Sequence, residues 1–378
     1  IGYEDKEGIA VSMGHAPTAA MIDPAAGSRL AISEALTNIV WTPIADNING
    51  ISLSANWMWP CKNDGENARL YNAVKGASDF AIAIGVNIPT GKDSMSMTQK
   101  YPNGEKVLSP GTLIVTAAGQ SNDVRATIHP VIKYTEDSEI IYIPFVKVGN
   151  SEEHFPLGGS AYAQIISKIG QKSADIDSPE YFKNCFNALQ RGLFNGEGNR
   201  VLAGHDISTG GMITTLLEMC FANSKGGLNI DLTPFRSANI LFSEVPGVIL
   251  QVKSSQKEAF IKELGSDVEY FTIGTTSSQR TLNIKYGIDK SISLDIDRER
   301  DIWFKTSYLF DSIQTGKELA TERYNNYAKQ VLDFKFPEHF TGKYELPSER
   351  KFNAAIIRET GSNGDREMAW ALYMAGFN

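Results

Sequence analysis

The chain has 378 residues, 42% of them hydrophobic and 21% charged, with a formal net charge of −8. That length exceeds one ordinary core and predicts two or three domains of a soluble globular protein. A net-acidic chain lacks the basic face that a nucleic-acid partner needs, so none is expected. Phosphate sites stay open, because they use local amides, metal and a few cations. No run of about 18 apolar residues occurs, so no membrane span is expected, and no signal peptide is visible. Cys61, Cys185 and Cys220 share no close spacing. Neither a zinc site nor a disulfide framework is expected, and a reducing, cytoplasmic setting fits. The chain opens on Ile1 rather than Met, which predicts a piece cut from a longer protein.

Residues 1–27 are rich in Gly, Ala and Pro and read as irregular. From Ser28 a helical period appears through Leu30, Ala31, Glu34, Ala35, Asn38 and Ile39. Ile51–Ala55 alternates like a strand, and Asn63-Asp64-Gly65 is a turn signal. Asn67–Ile84 reads as a helix, and Leu113–Gly119 as a buried strand. Ile140–Pro144 and Val201–His205 read as strands, with a helix opening at Pro179 between them. Leu241–Glu244, Gly247–Val252 and Tyr270–Gly274 read as further strands. Residues 299–332 are helical in pattern, followed by a loop from Phe336 to Pro347. The last stretch reads as a strand (Ala354–Arg358), a glycine turn and a helix (Asp365–Ala375). Such a unit cannot bury both of its faces, so the chain is expected to stop one unit into a third domain.

The richest stretch for chemistry is His205-Asp206-Ile207-Ser208-Thr209-Gly210-Gly211, between an apolar strand and an apolar-periodic helix. Ligands of α/β proteins sit at the carboxyl ends of strands. There Asp206 is expected to hold metal, and Ser208 or the following amides to hold phosphate. Ser208 or Thr209 also serves as a helix cap with no ligand at all, and His205 reads as a hydrogen-bonded structural residue. Glu34 and Asn38, four apart, face the same way on a helix and suit a hard cation, but spacing alone favours a solvated or N-terminal-turn pair. Gly91-Lys92-Asp93-Ser94 sets a cation, a carboxylate and a hydroxyl after a glycine, outside any Walker frame. It reads as a phosphate contact or a plain turn. Leu157-Gly158-Gly159-Ser160 is a third glycine turn before a helix. Met95 and Met97 read as core packing. The Asn56–Pro60 aromatic cluster reads as a domain interface or a base-stacking surface.

In their order, these motifs resemble the phosphoribosylformylglycinamidine synthases, or formylglycinamide ribonucleotide amidotransferases, in their large single-chain (PurL) form. The segments are Ser28–Asn38, Leu53–Met58, Pro89–Met97, His205–Gly211 and Phe242-Ser243-Glu244. The stretch after Ala354 resembles the opening of that family's class I glutaminase domain. The resemblance implies α/β and α+β architecture. A PurM-like N-terminal domain (1–122) and a PurM-like C-terminal domain (123–295) would be followed by a helical linker (296–350) and the start of the glutaminase domain (351–378).

The resemblance further implies an ATP-dependent ligase of purine synthesis. It turns formylglycinamide ribonucleotide, glutamine and ATP into the amidine, glutamate, ADP and phosphate. The first synthase module and the glutaminase domain would be partners in the same chain. Carried over, Glu34, Asn38 and Asp206 match Mg²⁺ ligands, while the family's remaining metal Asp falls before Ile1. Ser208, Gly210, Gly211, Ser54, Gly91 and Ser94 match contacts to ATP or ADP and substrate. Smaller relatives read GNVS where this chain has Gly91–Ser94, so Lys92 and Asp93 depart from the pattern. None of the three cysteines sits on a nucleophile elbow, so no glutaminase activity and little ligase activity are expected of this chain alone. Two other readings remain: a structural module that holds a nucleotide without turnover, and another enzyme built on the same module, against which the glutaminase-like end argues.

Overall fold

The computed structural model describes residues 6–134, 137–149, 152–194, 200–329 and 352–378, with isolated positions between 335 and 350. They fall into two compact units, Lys6–Asn325 and one that includes Asn326–Asn378.

In the large unit, a first sheet joins β1 (Gly8–His15), β2 (Ile51–Met58), β3 (Asn87–Ser94) and β6 (Thr112–Ser121) in the order β1-β6-β2-β3. β6 is antiparallel to both neighbours, and β2 is parallel to β3. β4 (Thr98–Lys100) and β5 (Lys106–Leu108) form a separate small ladder. Helix α1 (Pro17–Ile22) leads into α2 (Pro24–Ile39), which packs on β1, β6 and α3 (Glu66–Ile84). Asp23 starts α2 by accepting from the N–H groups of Ala25 (2.8 Å) and Ala26 (3.0 Å), with Pro24 in the first turn. A carboxylate cap and a proline are the residues a helix start favours.

The expectation that residues 1–27 are irregular is corrected for its described part, which forms β1 and α1. β1 keeps its large side chains outward, with Ile9, Val11 and Met13 58%, 64% and 63% exposed. Its inner face is small because α2 lies close: a Cβ on Gly14 would sit 2.2 Å from the Ala31 carbonyl oxygen. The Gly91–Ser94 turn is also corrected, because these residues end strand β3.

The second sheet has seven strands. β7 (Ser138–Pro144), β8 (Val201–Asp206), β9 (Gly227–Asp231), β10 (Gly247–Lys253), β11 (Phe271–Ser277), β12 (Thr281–Tyr286) and β13 (Lys290–Asp295) run in the order β13-β12-β9-β11-β7-β10-β8. Every pairing is antiparallel except β12 with β9. Alternate residues of a strand face opposite sides, and β7 and β10 show it. Ile141, Ile143, Val248, Leu250 and Val252 join a core shared with α2, α3, β2 and β6. Ile140, Tyr142 and Ile249 join a second core with α6 (Gly211–Phe221). Leu241–Glu244, expected as a strand, instead ends a 3₁₀ turn and enters a loop.

The two sheets are also tied by polar groups. α4 (Ala161–Ile165) and α5 (Pro179–Phe194) belong to the second half of the unit. On α5, buried Gln190 donates to the carbonyls of Val40 (2.6 Å) and Thr42 (3.1 Å) and accepts from the Ile44 N–H (2.9 Å). Arg29 on α2 makes a two-pronged pair with Asp175 at 2.7 and 2.6 Å. α7 (Lys257–Leu264) packs on α5, and α8 (Ile296–Gln314) on α6. α9 (Lys317–Asn326) returns along α8, where Tyr324 lies 4.9 Å from Tyr308 between ring centroids and Arg323 pairs with Asp311. Val331 and most of the loop expected over Phe336–Pro347 lie outside the described residues.

In the second unit, α10 (Asp365–Met374) forms where the sequence predicts it. The strand expected over Ala354–Arg358 is corrected. A strand needs a pairing partner, and the described pairing here is a single bridge from Phe352 to Phe377.

Candidate functional site

A cleft in the large unit is lined by the end of β1 and the start of α1 (His15–Ala19) and by one side of α2, including Ser33, Glu34 and Thr37. Opposite lie the glycine turn at Gly158–Ser160, the turn at Ile207–Thr209, and Glu244. Glu34 and Ser208 stand far apart in the chain, and the fold brings them to one cavity.

Local chemistry explains each wall. β8 ends at Asp206, and Gly210 and Gly211 turn the chain into α6 with φ of 95° and 72°. These are left-handed values that favour glycine. A Cβ on Gly211 would meet the Phe242 backbone at 2.7 Å. On the opposite turn, Ser160 caps α4 by accepting from the Ala163 N–H at 3.2 Å. One oxygen of Glu244 accepts from both the Gly210 N–H and the Ala161 N–H at 2.8 Å each. It thereby braces the two turns. Burial raises the Glu244 pKa, the two N–H donors oppose the rise, and Glu34 adds to it. Sequence reasoning missed Glu244 as a site residue, and only its place in the family-like Phe242-Ser243-Glu244 triplet marked it.

Asp206 is buried at 2% exposure, and its Oδ2 has no hydrogen-bond partner. Its Oδ1 lies 3.2 Å from His205 Nδ1, which is also 2.9 Å from the Asp206 carbonyl oxygen. The His205 ring pKa is held down by burial but raised overall by Asp206 and Glu218. Glu34 Oε2 accepts from the His15 N–H at 2.7 Å and lies 3.5 Å from His15 Nδ1. That contact raises the His15 pKa against its partial burial. Asn38 is exposed, and its Nδ2 donates to the Met13 carbonyl at 3.2 Å.

Among the described residues no three His, Cys, Asp or Glu side chains form a metal-sized group. Mg²⁺ commonly takes one or two carboxylates and fills its other positions with water and phosphate. An unpartnered buried carboxylate oxygen is the donor such an ion wants, so Asp206 fits by chemistry, while Glu34 lines the cleft with one oxygen already accepting from the His15 N–H.

Of the predicted residues, Glu34 and Ser208 line the cleft, whereas Asp206 and Asn38 do not, and the rest lie elsewhere. Gly210 and Gly211 are not among the cleft-lining residues: the Gly210 N–H is bonded to Glu244 and the Gly211 N–H to the Ser208 carbonyl. Ser54 lies on β2 opposite Thr90 and Thr116, while Gly91 pairs with Ala55 and Ser94 with Met58. A Cβ on Gly91 would sit 2.0 Å from the Ala55 carbonyl oxygen, so strand pairing alone accounts for this glycine. Met95 and Met97 are half-buried rather than core, and Met95 Sδ lies 3.5 Å from Cys61 Sγ. Trp57 packs against the shared core, and Trp59 is buried against Gly111. Burial pushes the Cys185 and Cys220 thiols up to about 12 and raises Cys61 as well, so none is an activated nucleophile.

Sheet order, helix placement and a cleft at strand and helix ends define a PurM-like module. The FGAR-AT PurM_N-like domain family matches residues 1–120, and the C-terminal domain of AIR synthase related proteins matches residues 147–287. A solved structure of Thermotoga maritima PurL complexed with FGAR aligns with a TM-score of 0.59 at 14% identity, covering 79% of this chain and 46% of that one. The same protein complexed with AMPPCP aligns at 0.56 and 13% identity, covering 98% of this chain and 51% of that one. The chain belongs to the phosphoribosylformylglycinamidine synthase family. It is 34% identical over 99% of its length to the probable chloroplastic/mitochondrial enzyme of Arabidopsis thaliana. It is 36% identical to the probable enzyme of Caenorhabditis elegans and 32% identical to that of Homo sapiens, each over its whole length. It spans 26%, 30% and 28% of those three proteins. No helix among the described residues is long and apolar enough to cross a membrane.

Proposed function

We propose that this chain is the second PurM-like module of a glutamine-dependent phosphoribosylformylglycinamidine synthase. In the whole protein it would hold a magnesium nucleotide, ATP or ADP, in the cleft between α2 and the Ile207–Thr209 turn. The observation that carries this reading is the Asp206 Oδ2, buried and unpartnered at the end of β8, one residue before the cleft-lining Ile207. Bound Mg²⁺ would neutralise phosphate charge there. Asp206 and Glu34 would supply carboxylate oxygens, with Asn38 as the third family-matched ligand. Ser208 would donate to phosphate, and Glu244 would hold both glycine turns in place.

Ser54, Gly91 and Ser94 lie apart from this cleft. Their proposed role is toward formylglycinamide ribonucleotide and the first module in the full enzyme. Residues 1–122 and 123–295 are read as the N- and C-terminal PurM-like domains, 296–350 as the helical linker and 351–378 as the start of the glutaminase domain. Calorimetric titration of ADP with and without Mg²⁺ tests the reading. Binding that depends on Mg²⁺ and is lost in Asp206→Ala supports it, and ADP binding equal in wild type and Asp206→Ala refutes it.

A further inference from the structure

Behind Asp206 a line of polar contacts runs outward to α8. His205 Nδ1 is 3.2 Å from Asp206 Oδ1. The other ring nitrogen, Nε2, is 3.5 Å from Glu218 Oε2 on α6. Glu218 Oε1 in turn accepts from the Trp303 indole N–H on α8 at 3.1 Å. Trp303 is held in place by the ring of Phe221, 6.0 Å away between centroids. From the other side, Thr215 Oγ1 donates to the Asp206 carbonyl at 3.0 Å.

Each member leaves the next with one orientation. With Nδ1 engaged by the Asp206 acceptors, the imidazole plane is fixed by what meets Nε2. Glu218 meets it, and the Trp303 N–H stops Glu218 from turning away. The net effect is that Asp206 has Oδ1 occupied and Oδ2 bare. Groups that hydrogen-bond a metal-ligating carboxylate or imidazole fix its orientation, and removing them weakens metal binding about 10–100-fold.

We propose that His205, Glu218 and Trp303 are positioning residues, a relay that aims Asp206 Oδ2 at the cation of a bound magnesium nucleotide. The inference rests on the proposed metal role of Asp206 and extends the site to α8, a helix beyond the residues matched by either domain family.

The test is calorimetric titration of ADP, with and without Mg²⁺, into the full chain and its variants, with a thermal melt of each as a folding check. Glu218→Ala is expected to lower the Mg²⁺-dependent affinity by about tenfold or more while leaving the Mg²⁺-free affinity unchanged. Glu218→Gln, which keeps size and can satisfy one neighbour but not both, should lie between it and wild type. Trp303→Phe keeps the ring against Phe221 and removes only the donor, so a several-fold loss is expected. Added to Glu218→Ala, it should cause no further loss, because both act through one path. Equal loss with and without Mg²⁺, or full additivity of the two changes, overturns the relay. Normal affinity in Glu218→Ala with impaired Asp206→Ala sinks the relay alone. Normal affinity in Asp206→Ala sinks the underlying reading, and the relay with it.

Discussion

Residues 89–97 and 205–211 look alike as sequence: each sets a glycine among an aspartate and hydroxyl side chains. In the fold they part company. The second stretch ends β8, itself an edge strand, and opens an eleven-residue helix, so Ser208 and Thr209 face a cleft. The first is an edge strand whose glycine allows close approach to Ala55. The same residue types are ligand-facing or pairing-bound according to the element they lead into. A helix leaves its first N–H groups free to be given away, whereas a paired strand uses its own.

The largest expected effect separates the two stretches by function. Asp206→Ala should reduce Mg²⁺-dependent ADP affinity on the order of a hundredfold, while Ser94→Ala should leave it unchanged. ADP affinity that falls in Ser94→Ala would place the first stretch in the nucleotide site after all. A second test separates them by stability. Gly91→Ala forces a Cβ to 2.0 Å from a backbone carbonyl and should destabilise by about 2 kcal/mol, with little change in ADP affinity. A melt equal to wild type would mean that β3 does not pair as described.

Third, Glu244→Ala removes the shared acceptor of the Gly210 and Ala161 N–H groups and should destabilise by about 1–3 kcal/mol. Glu244→Gln keeps an acceptor and should recover most of that. Equal melts for the two variants would show that the brace contributes nothing. The smallest effect is a labelling contrast. Cys61, half-buried beside Met95, should react with a thiol reagent at pH 8 before Cys220, buried near the end of α6 with its pKa pushed up to about 12. Faster labelling of Cys220 in the folded chain would contradict the packing of α6.

Much of the architecture was legible from period. Ile51–Ala55, Asn67–Ile84, Leu113–Gly119, Ile140–Pro144 and Gly247–Val252 each lie within the element expected of them, because buried faces leave regular apolar spacing. β1 escaped because its apolar residues point outward and its inner face is nearly bare of side chain. β9, β12 and β13 were not read as strands, although Leu282/Ile284 and Ile292/Leu294 do alternate. In the candidate site, Asp206 and Ser208 could be chosen from residue type and neighbours, whereas Glu34 stood out only through the family-like segment Ser28–Asn38. Glu244 could not, since its two donors lie 34 and 83 residues away along the chain. Nor could Trp303, which reaches Glu218 across 85 residues. Such partners are set by how layers stack, a property with no local period.

Gln190 reaches from the second half of the large unit into the first, where three backbone groups depend on its one amide. Because the core beneath it is also continuous across both sheets, opening either sheet would strip the other of its packing. The cooperative unit of unfolding is therefore larger than either sequence module. Amide protons of β7 and β10 should exchange with solvent on the same slow timescale as those of β2 and β6. A nucleotide that touched only α2 would slow the exchange of them all, since binding to the folded form stabilises everything that unfolds with it.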